Sequence, residues 1–294
     1  MKDLKLVVIL FVITLSSCVV DNDESLNEVI PDPPANLIIK FKFDSTQERL
    51  NNLGEPSIIP AGNAAQSPVI SKMSANYIEF SPNETTLLGE GDILFSGVET
   101  EAGGDLAIDF QNASFAGDNE TFVSIPLSQL SVGDYNWVRI SLSYQEGAID
   151  FLGADGADYT GTLASFVGYN NYITTFDLNE STLEINDNKL QGFWAFETMG
   201  ITTQGQAPEG ATTVPNPLFD TSPIPDGSCV VTGQFENTFT VTGEETEDIE
   251  VTLSFSTNNS FEWTEINADG KYEPSAGEQV VDMGIRGLIP MISN

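Results

Sequence analysis

Trp137-Val138-Arg139-Ile140-Ser141-Leu142-Ser143-Tyr144 places Val138, Ile140, Leu142 and Tyr144 on one side of an extended chain and Trp137, Arg139, Ser141 and Ser143 on the other. A side-chain period of two belongs to a strand with one buried face. The pattern recurs outward in both directions. Leu37, Ile39, Phe41 and Phe43 oppose Lys40 and Lys42, and Ile249, Val251, Leu253 and Phe255 oppose Glu250, Thr252 and Ser254. Leu106-Ala107-Ile108-Asp109-Phe110, Phe122 to Ile125, Phe193 to Phe196 and Phe235 to Val241 read the same way, with Gly, Asn, Asp and Pro between them. Helical periodicity is scarce. Ser45 to Leu53 reads as one short helix capped by Ser45 with Glu48 three residues on, and Pro126 to Leu130 as a single turn. The expected fold is mainly β, an antiparallel two-sheet β-sandwich with long loops and little helix. Residues 37–294 form the domain, with loop insertions at 147–171 and 202–227, the second holding five prolines. Long loops on a rigid scaffold are where binding concentrates.

Composition narrows the chemistry. The chain has 10 basic and 44 acidic residues and a net charge of −34. Such a surface repels phosphate backbones, so nucleic acid is excluded as a partner. With 40% hydrophobic residues the chain is not of the disordered class. No histidine is present. That removes Ser-His-Asp and Cys-His catalysis and the usual zinc and copper ligand, so neither metal is expected. Cys229, in the strand-like Cys229-Val230-Val231-Thr232, reads as a buried thiol. Arg286, one of few cations, reads as the partner of an acid.

The N-terminus carries an address. Lys2 and Lys5 precede the apolar run Leu6 to Leu15, and Ser16-Ser17-Cys18 follows. This is the layout of a secretory signal peptide, and the run is too short to span a bilayer as a mature helix. Leu15-Ser16-Ser17-Cys18 resembles the lipobox of bacterial lipoproteins. The resemblance implies removal of residues 1–17 and lipid attachment at Cys18, so the partner is a membrane engaged through an N-terminal lipid. Two acyl signals give stable anchoring where one does not. Residues 18–36 form an acidic, Pro-rich tether. Its Asp21, Asp23 and Glu24 resemble the export signal of surface lipoproteins of Bacteroidota-type bacteria. The implied location is the outer membrane, exposed at the cell surface, with the periplasmic face as the alternative.

One later stretch groups oxygen donors. Glu265, Asn267 and Asp269 alternate, Gly270 allows a sharp turn, and Lys271, Glu273 and Glu278 follow. It resembles calcium loops of the EF-hand and dockerin kind. That resemblance implies side-chain oxygens from Glu265, Asn267 and Asp269, the carbonyl of Lys271, Glu273 directly or through water, and Glu278 closing bidentately, around a structural Ca2+. The chain departs from the pattern in its first ligand, a Glu in place of Asp. It also departs in Glu278, which follows Gly270 after seven intervening residues instead of five. A polar hairpin turn built on Asp269-Gly270 is the alternative.

Leu37 to Phe43, Asn76-Tyr77-Ile78-Glu79-Phe80, Val132-Gly133-Asp134-Tyr135 within Ile125 to Leu142, and Gly192-Phe193-Trp194 together resemble the MbnP-like family of extracytoplasmic β-sandwich proteins. The resemblance implies a sandwich in the cell envelope. The copper associated with some members does not carry over to a chain without histidine. The functional expectation is a non-enzymatic, lipid-anchored binding or accessory protein for a glycan, a peptide or an outer-membrane partner, with Tyr159, Tyr169, Tyr172 and Trp194 as candidate sugar-stacking rings. The alternatives are a carboxylate-based glycoside hydrolase, which needs two acids about 5–9.5 Å apart, and a structural component of the outer-membrane surface.

Overall fold

The alternating stretches form strands because each has one face that must leave water and a backbone that must be paired. The computed structural model describes residues 34–207, 223–225, 227–285 and 287–293. Cys18, the tether up to residue 33, much of the 202–227 segment and Arg286 lie outside the described residues. Pro34–Asn294 clusters as one compact unit. The fold is mainly β and sandwich-like, with several sheets packed on one another.

One four-stranded sheet runs β18 (Leu288–Ser293), β15 (Ile249–Ser256), β1 (Asn36–Asp44), β7 (Glu120–Pro126). Its β1–β15 pair is parallel, from Leu37↔Ile249 to Asp44↔Ser256. The largest sheet has seven strands in the order β13 (Ile201–Gln206), β12 (Phe193–Thr198), β9 (Asp158–Phe166), β8 (Gly133–Leu152), β3 (Val69–Ser81), β4 (Asp92–Ser96), and β14 (Cys229–Val241) also pairs with β8. A second four-stranded sheet holds β11 (Ser181–Leu190), β10 (Asn170–Leu178), β6 (Ala107–Asp109) and β5 (Glu99–Thr100), and a three-stranded one holds β17 (Val280–Asp282), β16 (Phe261–Thr264) and β2 (Asn63–Gln66).

The 20-residue β8 organises the layers. Val138, Ile140 and Leu142 enter a first core with Leu37, Phe41, Leu253 and Phe255. Tyr144 enters a second with Phe110, Phe166 and Phe176, and Ile149 a third with Leu163, Phe261 and Trp263. Trp263, Tyr144 and Phe41 are fully buried. Burying side chains of this size contributes about 1.5–3 kcal/mol each before chain entropy is set against it. Cys229 is buried in the first core, as its sequence context suggests.

Three expectations change. Ser45–Leu53 is not a helix. The Asp44 carboxylate accepts the Thr46 and Gln47 N–H groups (2.9 and 3.1 Å), which turns the chain, and Leu50 bridges to Pro56. Arg49 then reaches the buried Glu262 at 2.5 Å. Residues 147–171 are not an inserted loop. They continue β8, turn at Asp155-Gly156, and return as β9 and the start of β10. Gly147 is a strand residue because a Cβ there would lie 2.7 Å from the Val69 carbonyl oxygen. Likewise Thr202–Gln206 belongs to a strand, β13, and the rest of that segment is largely outside the described residues. The turn at Pro126–Leu130 is present as a 3-10 turn over Leu127–Gln129.

Candidate functional site

The β8–β9 hairpin projects past the three-stranded sheet, and the chain leaving β16 comes back against it. The Leu152 N–H donates to the Tyr272 carbonyl (2.8 Å) and joins the two. Between them opens a cleft of about 450 Å³, lined by Asp150, Phe151, Asp158, Tyr159, Thr160 and Lys271. Phe151 and Tyr159 are cross-strand partners and stack with ring centroids 5.7 Å apart and planes 27° apart. Asp150 and Thr160 are partners on the other face of the hairpin, where the Thr160 hydroxyl donates to Asp150 (2.7 Å).

Every polar group of the rim is held by a second one. The Tyr159 hydroxyl donates to Asp155 (2.7 Å), which keeps the Asp155 carboxyl below the usual carboxylate range and raises the phenol. Lys271 donates to Asp158 (2.6 Å), and that bond raises the ammonium pKa. The Gln66 side chain clamps the Asp150 backbone, donating to its carbonyl (2.7 Å) and accepting its N–H (2.8 Å). The cleft is therefore bordered by groups from both faces of the hairpin, the Phe151–Tyr159 step on one and the Asp150 and Asp158 carboxylates, the Thr160 hydroxyl and the Lys271 ammonium on the other. Each of these polar groups keeps further hydrogen-bonding capacity.

The 265–278 loop forms the far wall. Its acids accept N–H groups of the loop and its neighbours, most of them from the backbone. Glu278, 3% exposed, accepts the N–H groups of Ile266 (2.9 Å), Asn267 (3.4 Å) and Glu273 (2.6 Å). Glu265 accepts those of Asp269 (2.9 Å) and Gly270 (2.8 Å) and the Trp263 indole N–H (2.8 Å). Asp269 accepts the Lys271 N–H (2.9 Å), and the Asn267 amide donates to Glu273. Asp269-Gly270 makes the turn, with Gly270 at φ +73°. The loop thus joins Glu273 and Glu278 through Asn267, whose backbone N–H goes to Glu278 and whose side-chain amide goes to Glu273, and points Lys271 at the cleft. Among the described residues no three acidic, cysteine or histidine side chains converge as a metal group. Tyr272 packs edge-on to Phe261 (5.2 Å) and anchors the loop in the third core. Burial, and then the Glu278 charge, push its phenol up to about 12.

Of the candidate rings, Tyr159 alone stands in the cleft. Tyr169 is buried and donates to Glu99 (2.7 Å), and Trp194 lies over Gly205 beside the third core. Asp150, Phe151, Asp158 and Thr160 were not singled out by sequence. The signal that could have found them is Asp155-Gly156 between two stretches of acid next to aromatic, a hairpin turn with matched flanks.

No family model, no curated protein and no solved structure matches the chain. Among the described residues no helix is long and apolar enough to cross a membrane.

Proposed function

We propose that this chain is a lipid-anchored cell-envelope protein, tethered through Cys18 and residues 18–36, that binds a glycan without turning it over. The Phe151–Tyr159 step, with the Asp155 carboxylate bound to the Tyr159 hydroxyl at its edge, carries the reading. A pyranose offers an apolar face to an aromatic ring and hydroxyls to acceptors at its edge, and the Tyr159 ring with Asp155 beside it supplies both from a rigid hairpin. Rigid placement lowers the entropy cost of binding. The charge of −34 favours neutral or amino sugars over uronic or sulfated ones.

The test is titration of neutral oligosaccharides into the Pro34–Asn294 unit, followed by calorimetry. Saturable binding lost in Tyr159→Ala and weakened in Asp155→Asn, with unchanged melting of both variants, supports the reading. Absence of binding, or binding that ignores both changes, overturns it. Asp150 and Asp158 sit diagonally across the β8–β9 ladder, so a hydrolase is the second reading. Release of reducing ends, lost in Asp158→Asn, would put it first.

A further inference from the structure

We propose that β13 is a self-pairing edge, along which two copies of this chain join antiparallel and continue the seven-stranded sheet across a two-fold axis at Gln204. An edge strand is a template for another strand, and proteins blunt it with charge, proline, bulges or shortness. Among the described residues the other sheet edges are blunted. Strand β18 carries Pro290, and β7 carries Glu120, Pro126 and a register shift against β1. Strand β11 carries Glu184, Asp187 and Lys189 and a shift against β10, while β4 carries Asp92 and a shift against β3. Strand β14 carries Glu236 and breaks register between Gln234 and Phe239. Strands β2, β5 and β17 have four, two and three residues. Strand β13 has six residues, no charge and no proline, and an unbroken register from Ile201↔Thr198 to Gln206↔Phe193.

The ladder phase fixes which groups it offers. The Ala207 N–H donates to the Gly192 carbonyl (2.9 Å). Bonded positions alternate along an antiparallel pair, so Gly205, Thr203 and Ile201 bond inward to β12. The N–H and C=O groups of Thr202, Gln204 and Gln206 therefore point outward. Pairing about Gln204 sets it opposite its own copy, Thr202 opposite Gln206, and Thr203 opposite the side-chain-free Gly205. All outward groups then meet partners. Ile201, 64% exposed, comes to lie opposite Ala207 on the face that Trp194 covers.

The strip selects a second copy as the occupant, because its three outward positions, Thr202, Gln204 and Gln206, are symmetric about Gln204 and complete one another. Two chains of net charge −34 repel wherever their acids meet, and residues 198–207 hold no ionisable side chain. The strip itself brings no like charges to the axis, and the ionisable neighbours that share a cavity with Gln204, Gly205 and Gln206, Glu184 and Lys189 of β11, are of opposite sign. The contact is one short strand, below the area of a permanent dimer, so the pairing is weak and concentration-dependent.

Sedimentation velocity of the Pro34–Asn294 unit from micromolar to millimolar concentration reads this directly. The expected result is a reversible dimer, abolished in Gln204→Pro with unchanged melting, because the lost N–H is one that β12 does not use. If that variant fails to fold, Gln204→Glu gives a second reading. Like charges at the axis should then abolish the dimer in low salt and return it in high salt. Oxidation of Gln204→Cys should cross-link two copies, whereas Ile289→Cys on the β18 edge should not. A monomer at every concentration, or a dimer that persists in Gln204→Pro or in Gln204→Glu at low salt, overturns the proposal.

Discussion

Glu79 and Glu278 are both buried glutamates that staple a loop, and among the described residues only Glu79 has a cation beside it. Glu79, on β3, is fully buried and accepts the N–H groups of Gly89 (3.1 Å) and Gly91 (2.7 Å) and the Tyr77 hydroxyl (3.0 Å). Arg139, 2% exposed on the paired strand β8, stands 4.0 Å away. Glu278 does the same work for the 265–278 loop with three backbone N–H groups, but its loop is otherwise acidic, and Lys271 is turned outward to Asp158. A carboxylate can be buried on oriented N–H dipoles alone when enough of them converge. The 83–91 turn adds a full charge and belongs to the first core's sheet. The 265–278 loop does without, and it is the one that borders the cleft.

The largest break is Arg139→Leu. Removing one partner of a buried pair leaves the other charge uncompensated, at a cost of about 3–5 kcal/mol. Urea unfolding should show that loss as a lower midpoint, and an effect under about 1 kcal/mol would mean that the N–H groups hold Glu79 unaided.

Glu278→Gln should cost less, about 1.5–3 kcal/mol, since charge-assisted bonds are lost but no opposite charge is stranded. Its second readout is Tyr272. Burial and Glu278 both hold that phenol protonated, so its contribution to stability is intact below pH 10 and is lost as pH rises through about 12. In Glu278→Gln the tyrosinate absorbance of Tyr272 should appear at lower pH. It should still appear above 10, because burial is the larger cause. An unchanged titration would separate Glu278 from Tyr272.

Calcium is the smallest expected effect and the sharpest probe of the difference. The carboxylates of the 265–278 loop already accept N–H groups, so the melting midpoint should be the same in EDTA and in millimolar calcium. A site filled to a hundred times its dissociation constant would add about 2.7 kcal/mol. A calcium-specific rise that disappears in Asp269→Ala would make the ion this loop's missing cation and restore the Glu265–Glu278 ligand set.

The strands were legible wherever one face is apolar and the other wet, as in Leu37–Phe43 and Ile249–Phe255. Legibility failed where both faces of a strand are buried. Gly147 reads as the start of a loop. In the structure Glu146 is met by Lys72 (3.0 Å) and Tyr144 (2.6 Å), and Gly147 makes room for the β3 backbone. Parallel pairing of β1 with β15 is equally silent in sequence, because register between strands 212 residues apart leaves no local mark. The candidate site was half legible. The oxygen-rich 265–278 stretch was visible, but oxygens that serve a metal and oxygens that serve backbone N–H groups have the same spelling. The cleft itself needs the β8–β9 hairpin folded against that loop.

Strand β8 also has a mechanical meaning. At about 3.4 Å per residue its 20 residues reach some 65 Å, from the layer packed on β1 to the hairpin that carries Tyr159. The chain enters the fold at β1, an interior strand gripped by β15 on one side and β7 on the other. A pull arriving from upstream of Pro34 would load both ladders in shear, with many hydrogen bonds sharing it, instead of peeling one edge open bond by bond. A load between β1 and the far end of β8 would thus cross the first core, where Val138, Ile140 and Leu142 pack with Leu37 and Phe41, before it reached any edge strand.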